Sequence, residues 1–123
     1  MHKSRLVALG IDCEGGDLEA AVGFWSAALG RASKGIEGEY AGLEDRAGQP
    51  HVFVQRVTHP SRVHLDIESD DVEAEVVRLE ALGAKRLVKV HTWWVMEAPT
   101  GHRFCVVRRQ RDAFGPHVNE WAG

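Results

Sequence analysis

The chain has 123 residues, the size of one domain, and its formal net charge of −3 provides no basic surface for nucleic acid or an anionic membrane. No apolar run approaches the roughly 20 residues of a membrane-spanning helix. Apolar residues make up 44% of the chain and charged residues 27%, as in ordinary globular proteins. We therefore expect one globular domain whose partners are neither nucleic acids nor membranes.

Cysteine usage and the N-terminus indicate the compartment. Cys13 and Cys105 are too few and too far apart to indicate a disulfide framework. The basic start of the chain is followed by only about six apolar residues and no small-residue cleavage site, so it predicts a strand and not a signal peptide. Both features favour the cytoplasm.

The first elements in chain order are a predicted strand and an amphipathic helix. Val7, Leu9 and Ile11 alternate with smaller or polar residues, which is the period of a strand with one buried face. Asp17 is the predicted N-cap of the helix, and Gly30 is the predicted glycine at its C-terminal end. The predicted buried stripe consists of Leu18, Val22, Trp25 and Leu29.

The next segment predicts shorter strands. Four glycines break residues 31–51 into pieces, of which residues 39–45 are a candidate strand. Residues 52–57 predict a clearer strand, which ends at a turn around residues 59–61.

The second half repeats this order with sharper signals. Val63, Leu65 and Ile67 alternate as in a strand, and Asp70 followed by Glu73 resembles a capping box at a helix start. Gly83 is predicted to end that helix, and three further strands follow. The predicted buried stripe of the helix is Val72, Val76, Leu79 and Leu82, and the predicted strands are 85–90, 93–97 and 103–108.

The two halves therefore repeat one unit. Residues 17–30 read DLEAAVGFWSAALG, and residues 71–83 read DVEAEVVRLEALG. Two copies are too few for a solenoid, which needs about three or more. We predict a single domain of two repeats, about 5–58 and 62–109, with a site in the cleft between the halves and a C-terminal tail, 110–123.

The tail and a tryptophan pair carry much of the aromatic surface. The tail holds Phe114 and Trp121 without clear periodicity, and we expect these rings to dock on the body or on a second subunit. Trp93 and Trp94 are neighbours on one strand, so they point to opposite faces. One of them is expected to line the cavity or its rim, and the other to pack under a helix or at a subunit contact.

These motifs resemble the vicinal oxygen chelate superfamily, which contains glyoxalase I, extradiol dioxygenases, fosfomycin-resistance enzymes and bleomycin-binding proteins. The likeness runs from about Leu6 to Val107 and is strongest to small glyoxalase-like domain proteins. It rests on the doubled β-α-β-β-β order, the helix end FWSAALG and the hairpin PTGHRF. The resemblance implies an α+β fold in which two paired βαβββ units form a half-open barrel, with ligands on its concave face.

Enzymes of the superfamily hold a divalent metal with His, Glu or Gln from equivalent strands of the two halves. The resemblance places these positions at Gly10 (or Ala8), Gln55, His64 and Cys105, the last where the enzymes usually have Glu. Glycine and alanine cannot bind a metal, and catalytic metals usually have at least three matched protein ligands. We therefore predict no resident metal. If a metal is bound, the predicted ligands are His64, Gln55 and Cys105, with a zinc set of Asp12, His64 and Cys105 as the variant.

Each candidate residue also has a structural interpretation. His64 is equally a strand histidine bonded to Asp66 or to a backbone carbonyl, and Gln55 a partner of His64. For Cys105 the favoured interpretation is a small buried hydrophobe, since free cysteine is among the most buried residue types. The remaining histidines of strand ends, turns and tail are expected to be solvated, namely His51, His91, His102 and His117.

The sequence favours a glyoxalase-like protein that binds a small organic molecule in the concave cleft, with a degraded metal site and no catalytic residue identified. The alternatives are a metal-dependent lyase, isomerase or dioxygenase with nonstandard ligands, and a non-catalytic protein that sequesters an antibiotic as the bleomycin-binding members do. We also expect a homodimer, because small members of the superfamily commonly dimerise. The predicted ligand contacts are Asp12, Gln55, His64, Trp94 and Cys105.

Overall fold

The computed structural model describes residues 1–110, 114 and 117–122, which form nine strands and two helices. In chain order these are β1 (His2–Glu14), α1 (Leu18–Leu29), β2 (Ser33–Glu37), β3 (Tyr40–Leu43), β4 (His51–Val57), β5 (Arg62–Ser69), α2 (Val72–Ala81), β6 (Lys85–Val90), β7 (Trp93–Glu97), β8 (Arg103–Arg108) and β9 (Asn119–Trp121). The order β1-α1-β2-β3-β4 recurs as β5-α2-β6-β7-β8, which confirms the predicted α+β fold class with two βαβββ repeats. No helix among the described residues is long and apolar enough to cross a membrane.

The chain divides into two compact units. We call Ala8–His64 the first unit, and Met1–Val7 together with Leu65–Gly123 the second unit. The division cuts β1 after Val7 and β5 after His64, so each unit contains part of both strands.

The first unit packs α1 on one face of a small sheet. β1 runs parallel to β4, and β4 and β2 each run antiparallel to β3. Because strand side chains alternate between faces, every second residue meets α1 and the others project away from it. The buried cluster on the α1 side is Leu18, Val22, Ala41, Leu43, Val52 and Val54, with Leu9, Ile11, Cys13, Ala21 and Trp25 packed against it.

The ends of α1 confirm the predicted caps. The Asp17 carboxylate accepts a hydrogen bond from the Glu19 backbone N–H at 3.0 Å, and Gly30 ends the helix with a φ of 67°, where glycine is favoured. Leu29 is 42% exposed, so its predicted burial is wrong. It is the last residue of the helix, beyond the part that packs on the core cluster.

The second unit has the same layout. β5 runs parallel to β8, and β6 and β8 each run antiparallel to β7. The bounds of β6, β7 and β8 agree with the predicted strands. Its buried cluster is Val76, Met96 and Val106, with Val72, Leu79, Ala84, Trp94 and Phe104 packed against it.

Helix α2 begins one residue later than predicted. Asp71 and not Asp70 is the N-cap, and its carboxylate accepts from the Ala74 N–H at 3.0 Å. Asp70 instead accepts from the backbone N–H of Lys3 at 2.8 Å, so a contact distant in sequence decides between two adjacent aspartates. Leu82 lies at the C-cap and is 67% exposed, so its predicted burial is also wrong.

The tail forms β9, which pairs antiparallel with the start of β1. The Trp121 indole N–H donates to the Ser4 hydroxyl at 2.8 Å, and the Arg78 guanidinium lies 3.8 Å from the centre of the Trp121 ring. Trp121 therefore docks on its own chain. Residues 111–113, 115, 116 and 123 of the tail lie outside the described part of the chain.

A buried carboxylate on α2, that of Glu75, binds the start of β1 in the second unit. Glu75 is fully buried; it accepts from His2 Nε2 at 2.8 Å and from two nitrogens of Arg78, each at 2.8 Å. Burial alone would raise the pKa of Glu75. Hydrogen bonds from Arg78, His2 and Ser4 and the charge of Arg78 outweigh burial and hold that pKa below its ordinary value.

We expect Glu75→Gln to lower the free energy of unfolding by about 2–4 kcal/mol near neutral pH, because it leaves buried donors of His2 and Arg78 poorly paired. The folded pKa of Glu75 lies below the ordinary value of 4.5, so its stabilisation is complete above that pH and is lost as pH falls through the folded pKa. Urea unfolding curves of both proteins from neutral to acidic pH measure this, and the difference should shrink on acidification.

Glu73→Gln is the matched control, because Glu73 lies on the same helix and binds Arg86 at 2.8 Å but has a side chain that is 63% exposed. Its effect should stay within about 0.5 kcal/mol. Equal losses for the two variants would contradict the assignment of Glu75 as an anchor.

Candidate functional site

The candidate site is the face of the first unit's sheet that points away from α1. Gly10 pairs in register with Phe53, and Asp12 with Gln55, which also pairs with Tyr40. Register partners project to the same side of a sheet, so these side chains share one face. We call it the polar face of the first unit.

A carboxylate–imidazole pair lies on the polar face. His64 Nδ1 donates to Asp12 Oδ2 at 2.9 Å, and only 5% of the Asp12 side chain and 11% of the His64 side chain are exposed. A carboxylate on Nδ1 fixes the orientation of an imidazole ring and makes Nε2 the acceptor nitrogen of its neutral form. The structure thus gives His64 a partner, Asp12, that neither sequence interpretation of this histidine named.

The other Asp12 oxygen has a different environment. Asp12 Oδ1 is buried, and no hydrogen-bond donor among the described residues reaches it. His59 Nε2 lies 3.8 Å from Oδ2, and His59 Nδ1 donates to the Pro60 carbonyl at 2.9 Å. A buried carboxylate oxygen without a donor is costly, so Oδ1 marks a position suited to a ligand's donor group.

Gly10 provides the space for the His64 ring. A Cβ atom at position 10 would lie 2.3 Å from His64 Cε1, 2.6 Å from His64 Nε2 and 2.6 Å from Phe53 Cζ. Such approaches are far inside van der Waals contact. Glycine at this position therefore permits the imidazole and the phenyl ring to lie over the β1 backbone.

A second imidazole on the polar face is held in the same manner. His51 Nδ1 lies 2.8 Å from Asp45 Oδ1, and Lys34 Nζ lies 3.0 Å from Asp45 Oδ2. The hydrogen bonds from Lys34 and His51 hold the pKa of Asp45 below its ordinary value. The side chain of His51 is 30% exposed, so this histidine still contacts solvent but is less solvated than expected.

Aromatic rings surround Phe53. The His51 ring stacks on it with centroids 6.2 Å apart, and the His64 and Tyr40 rings meet it edge-on at 5.6 and 6.2 Å. Such arrangements are the favourable ones for aromatic pairs. The polar face thus combines flat apolar walls with a buried carboxylate–imidazole pair.

This arrangement offers two kinds of chemistry. The rings supply surfaces on which a flat molecule can stack, and the Gln55 amide can both donate and accept hydrogen bonds. An imidazole oriented by a carboxylate is also the arrangement used in general acid–base catalysis. The polar face therefore carries groups of the kinds that contact organic molecules and that transfer protons.

The structure groups three of the five predicted ligand contacts. Asp12, Gln55 and His64 share the polar face. Trp94 and Cys105 belong to the second unit, where Trp94 packs against the α2-side cluster and Cys105 is the register partner of Asp66 on β5. Trp94 is thus the tryptophan of the pair that packs on the helix side.

Sequence reasoning missed several residues of the polar face. The sequence predicts Phe53 and Tyr40 only as strand residues, although their alternation with the core residues Val54 and Ala41 indicates that they point to the opposite face. The pairing of His51 with Asp45 left no such signal, because the two are joined through a turn at residues 47–49.

The chain matches a known family over most of its length. A family model described as a glyoxalase-like domain matches residues 8–107. No curated protein matches the chain.

Solved structures share the fold at low sequence identity. A hypothetical protein from Bacillus halodurans C-125 has a TM-score of 0.68 and 13% identity, covering 91% of this chain and 99% of that one. Methylmalonyl-CoA epimerase from Mycobacterium tuberculosis has a TM-score of 0.65 and 15% identity, covering 86% and 88%. A variant of the Streptomyces coelicolor epimerase in complex with 2-nitronate-propionyl-CoA has a TM-score of 0.58 and 19% identity, covering 86% and 94%. At these identities the likeness shows the fold alone.

The residues of this chain do not fit the metal set that the superfamily resemblance implies. Gly10 supplies no ligand, and the His64 ring occupies the space where a side chain at position 10 would lie. The remaining positions of that set are Gln55, His64 and Cys105, and Cys105 is a cysteine where the superfamily enzymes usually have a glutamate. A catalytic metal usually has at least three matched protein ligands.

We expect Gly10→Ala to destabilise the protein by about 1–3 kcal/mol, since the added methyl must displace the His64 and Phe53 rings. Gly23→Ala is the matched control: it lies within α1, and a Cβ there meets nothing within 4 Å, so it should be neutral or stabilising by up to about 1 kcal/mol. Thermal unfolding of both variants measures the difference. Equal effects would show that the ring does not lie over Gly10.

Proposed function

Since the chain belongs to the glyoxalase-like domain family, we propose that it binds a small organic molecule on the polar face of the first unit, without a resident metal. Asp12, Gln55 and His64 supply the polar contacts in this proposal. Phe53 and Tyr40 supply the apolar walls.

The main observation in support of this proposal is the position of the His64 ring over Gly10. The ring is bonded to Asp12 and lies where a metal-binding side chain at position 10 would have to be. A face that is partly buried, aromatic and equipped with a few polar groups has the composition of small-molecule sites. The complexes of epimerases with acyl-CoA ligands support a small-molecule role for the fold.

Binding leads to two possible roles, turnover of the ligand or its sequestration. The Asp12–His64 pair favours turnover by proton transfer, because a carboxylate-anchored imidazole can accept and return a proton. Sequestration, as in the bleomycin-binding members of the superfamily, needs only the walls and the polar contacts. Kinetic assays on a ligand that has been found distinguish the two roles.

A thermal-shift screen tests the proposed binding. A ligand at a hundredfold excess over its Kd stabilises the folded protein by about 2.7 kcal/mol. His64→Ala should abolish the shift, whereas Lys85→Ala, at an exposed position of β6, should retain it. A broad screen without any stabilising compound would contradict the proposal, and so would a shift that survives His64→Ala.

A metal-dependent enzyme with nonstandard ligands is the second candidate. His64, Asp66 and Cys105 offer imidazole, carboxylate and thiolate donors. His64 and Asp66 are two residues apart on β5, and Asp66 pairs in register with Cys105 on β8. A thiolate among the ligands would favour zinc.

Metal analysis separates the two candidates. We expect protein purified without chelator to carry far less than one equivalent of zinc, nickel, manganese or iron, because the superfamily's ligand set is incomplete. Inductively coupled plasma mass spectrometry measures the content. Stoichiometric metal that is lost in His64→Ala but kept in His91→Ala, a variant of an exposed histidine, would favour the enzyme.

A homodimer remains a prediction, and exposed leucines of the second unit support it. Trp121 docks on its own chain, but Leu6 and Leu65 of the second unit are 46% and 45% exposed. Exposed apolar patches commonly mark contact sites. Light scattering should give a mass of twice the 13.6 kDa of one chain. Leu65→Lys should reduce the measured mass, whereas Val77→Lys on α2 should leave it unchanged. A mass of one chain for the unmodified protein would contradict the dimer.

A further inference from the structure

Two carboxylates of the second unit, Glu68 and Glu75, are almost fully buried, and both oxygens of each are bonded. Glu68 accepts from Arg5 Nε at 2.8 Å on one oxygen and from the Gln110 backbone N–H at 3.0 Å on the other. Glu75 accepts from His2 and Arg78 on one oxygen and from Arg78 on the other. Both groups are explained by structure alone.

Asp12 of the first unit differs from them. Its side chain is 95% buried, since only 5% is exposed, yet Oδ1 has no donor among the described residues. A buried carboxylate oxygen left without a donor costs free energy that a hydrogen bond from a ligand would recover. Because an ionised carboxylate only accepts, the ligand must present an N–H or O–H group there.

The charges around Asp12 favour a positively charged donor. Lys34 is bonded to Asp45, and Arg56 is bonded to both oxygens of Glu39 at 2.6 and 2.9 Å. These cations are thus already paired with other carboxylates. Among the described residues, the imidazole of His64 is bonded to Asp12 Oδ2, and that of His59 lies 3.8 Å from the same oxygen.

The rings of the polar face favour a flat cation. Phe53 and Tyr40 meet edge-on at 6.2 Å, and Tyr40 is 45% exposed. Aromatic faces attract cations, and they stack with flat molecules. Gln55 is the register partner of Asp12 and projects from the same face, and its amide oxygen can accept a second N–H of the same ligand.

We propose that the polar face is a site for a flat organic cation of the amidine or aminoheteroaryl type, which donates an N–H to Asp12 Oδ1 and lies against Phe53 and Tyr40. This ligand class rests on the proposed binding function and narrows it.

Three probes of nearly equal size and shape test the charge and the donor separately. Benzamidine is a flat cation with N–H donors, benzamide is its neutral analogue, and benzoate is its anionic analogue. Isothermal titration should give a measurable Kd for benzamidine. Benzamide should bind at least about tenfold more weakly, because a charge-assisted hydrogen bond is roughly twice as strong as a neutral one. Benzoate should show no binding.

Variants locate the site. Asp12→Asn should weaken benzamidine binding at least about tenfold, since it replaces the carboxylate by an amide. Glu39→Gln is the control, because it removes the same charge from an exposed ion pair of the first unit and should leave the Kd unchanged. Circular dichroism establishes that each variant is folded. If Asp12→Asn does not fold, the order of the three probes on the unmodified protein still decides.

Each other result overturns the inference in a recognisable way. Benzoate binding as tightly as benzamidine would reject the cation while leaving small-molecule binding intact. A second such result is that none of the three probes binds, while another compound stabilises the protein and His64→Ala abolishes that stabilisation. This result would also reject the cation and leave small-molecule binding intact. Benzamidine binding that Asp12→Asn leaves unchanged would reject Asp12 as its partner. Failure of the whole thermal-shift screen would reject the proposed function itself.

Discussion

The hydrogen bond between Asp12 and His64 organises the polar face of the first unit. It joins the end of β1 to the start of β5, 52 residues apart in sequence, and orients the imidazole over Gly10. The ring in turn meets Phe53 edge-on, and Phe53 stacks on His51. Glycine at position 10 is thus a steric requirement of the pair, since any larger residue would displace the imidazole.

This constraint separates the chain from the metal-binding pattern that its superfamily resemblance implies. His64 stands at one of the superfamily's ligand positions, but the equivalent position of the other repeat is Gly10. The His64 ring fills the space that a side chain at position 10 would occupy. Buried carboxylates serve different purposes in the two units. Glu75 is fully bonded and anchors α2 to the start of β1, whereas Asp12 keeps one oxygen without a donor among the described residues.

The fold could be predicted largely from local patterns. Alternating apolar residues located β1 and β5, and turn residues located β7 and β8, because these signals depend on neighbours in sequence. The sequence predicts Asp70 as the N-cap of α2, but Asp71 is the cap. Asp70 binds the backbone of Lys3, a contact that no local pattern reveals. For the candidate site, the superfamily resemblance predicts His64 and Gln55 as ligand positions, and this stays a prediction. The roles of Asp45, Phe53 and Tyr40 depend on register between β1, β3 and β4, which the sequence does not state.

The most direct test of the account is a long-range proton–nitrogen NMR correlation of the His64 ring, recorded before and after one equivalent of Zn²⁺ is added. The account predicts a proton on Nδ1, held by Asp12, and nitrogen shifts that zinc leaves unchanged. A large zinc-induced shift of His64 Nε2 would show that the imidazole is a metal ligand. That result would contradict the assignment of the polar face as a site for an organic molecule without a resident metal.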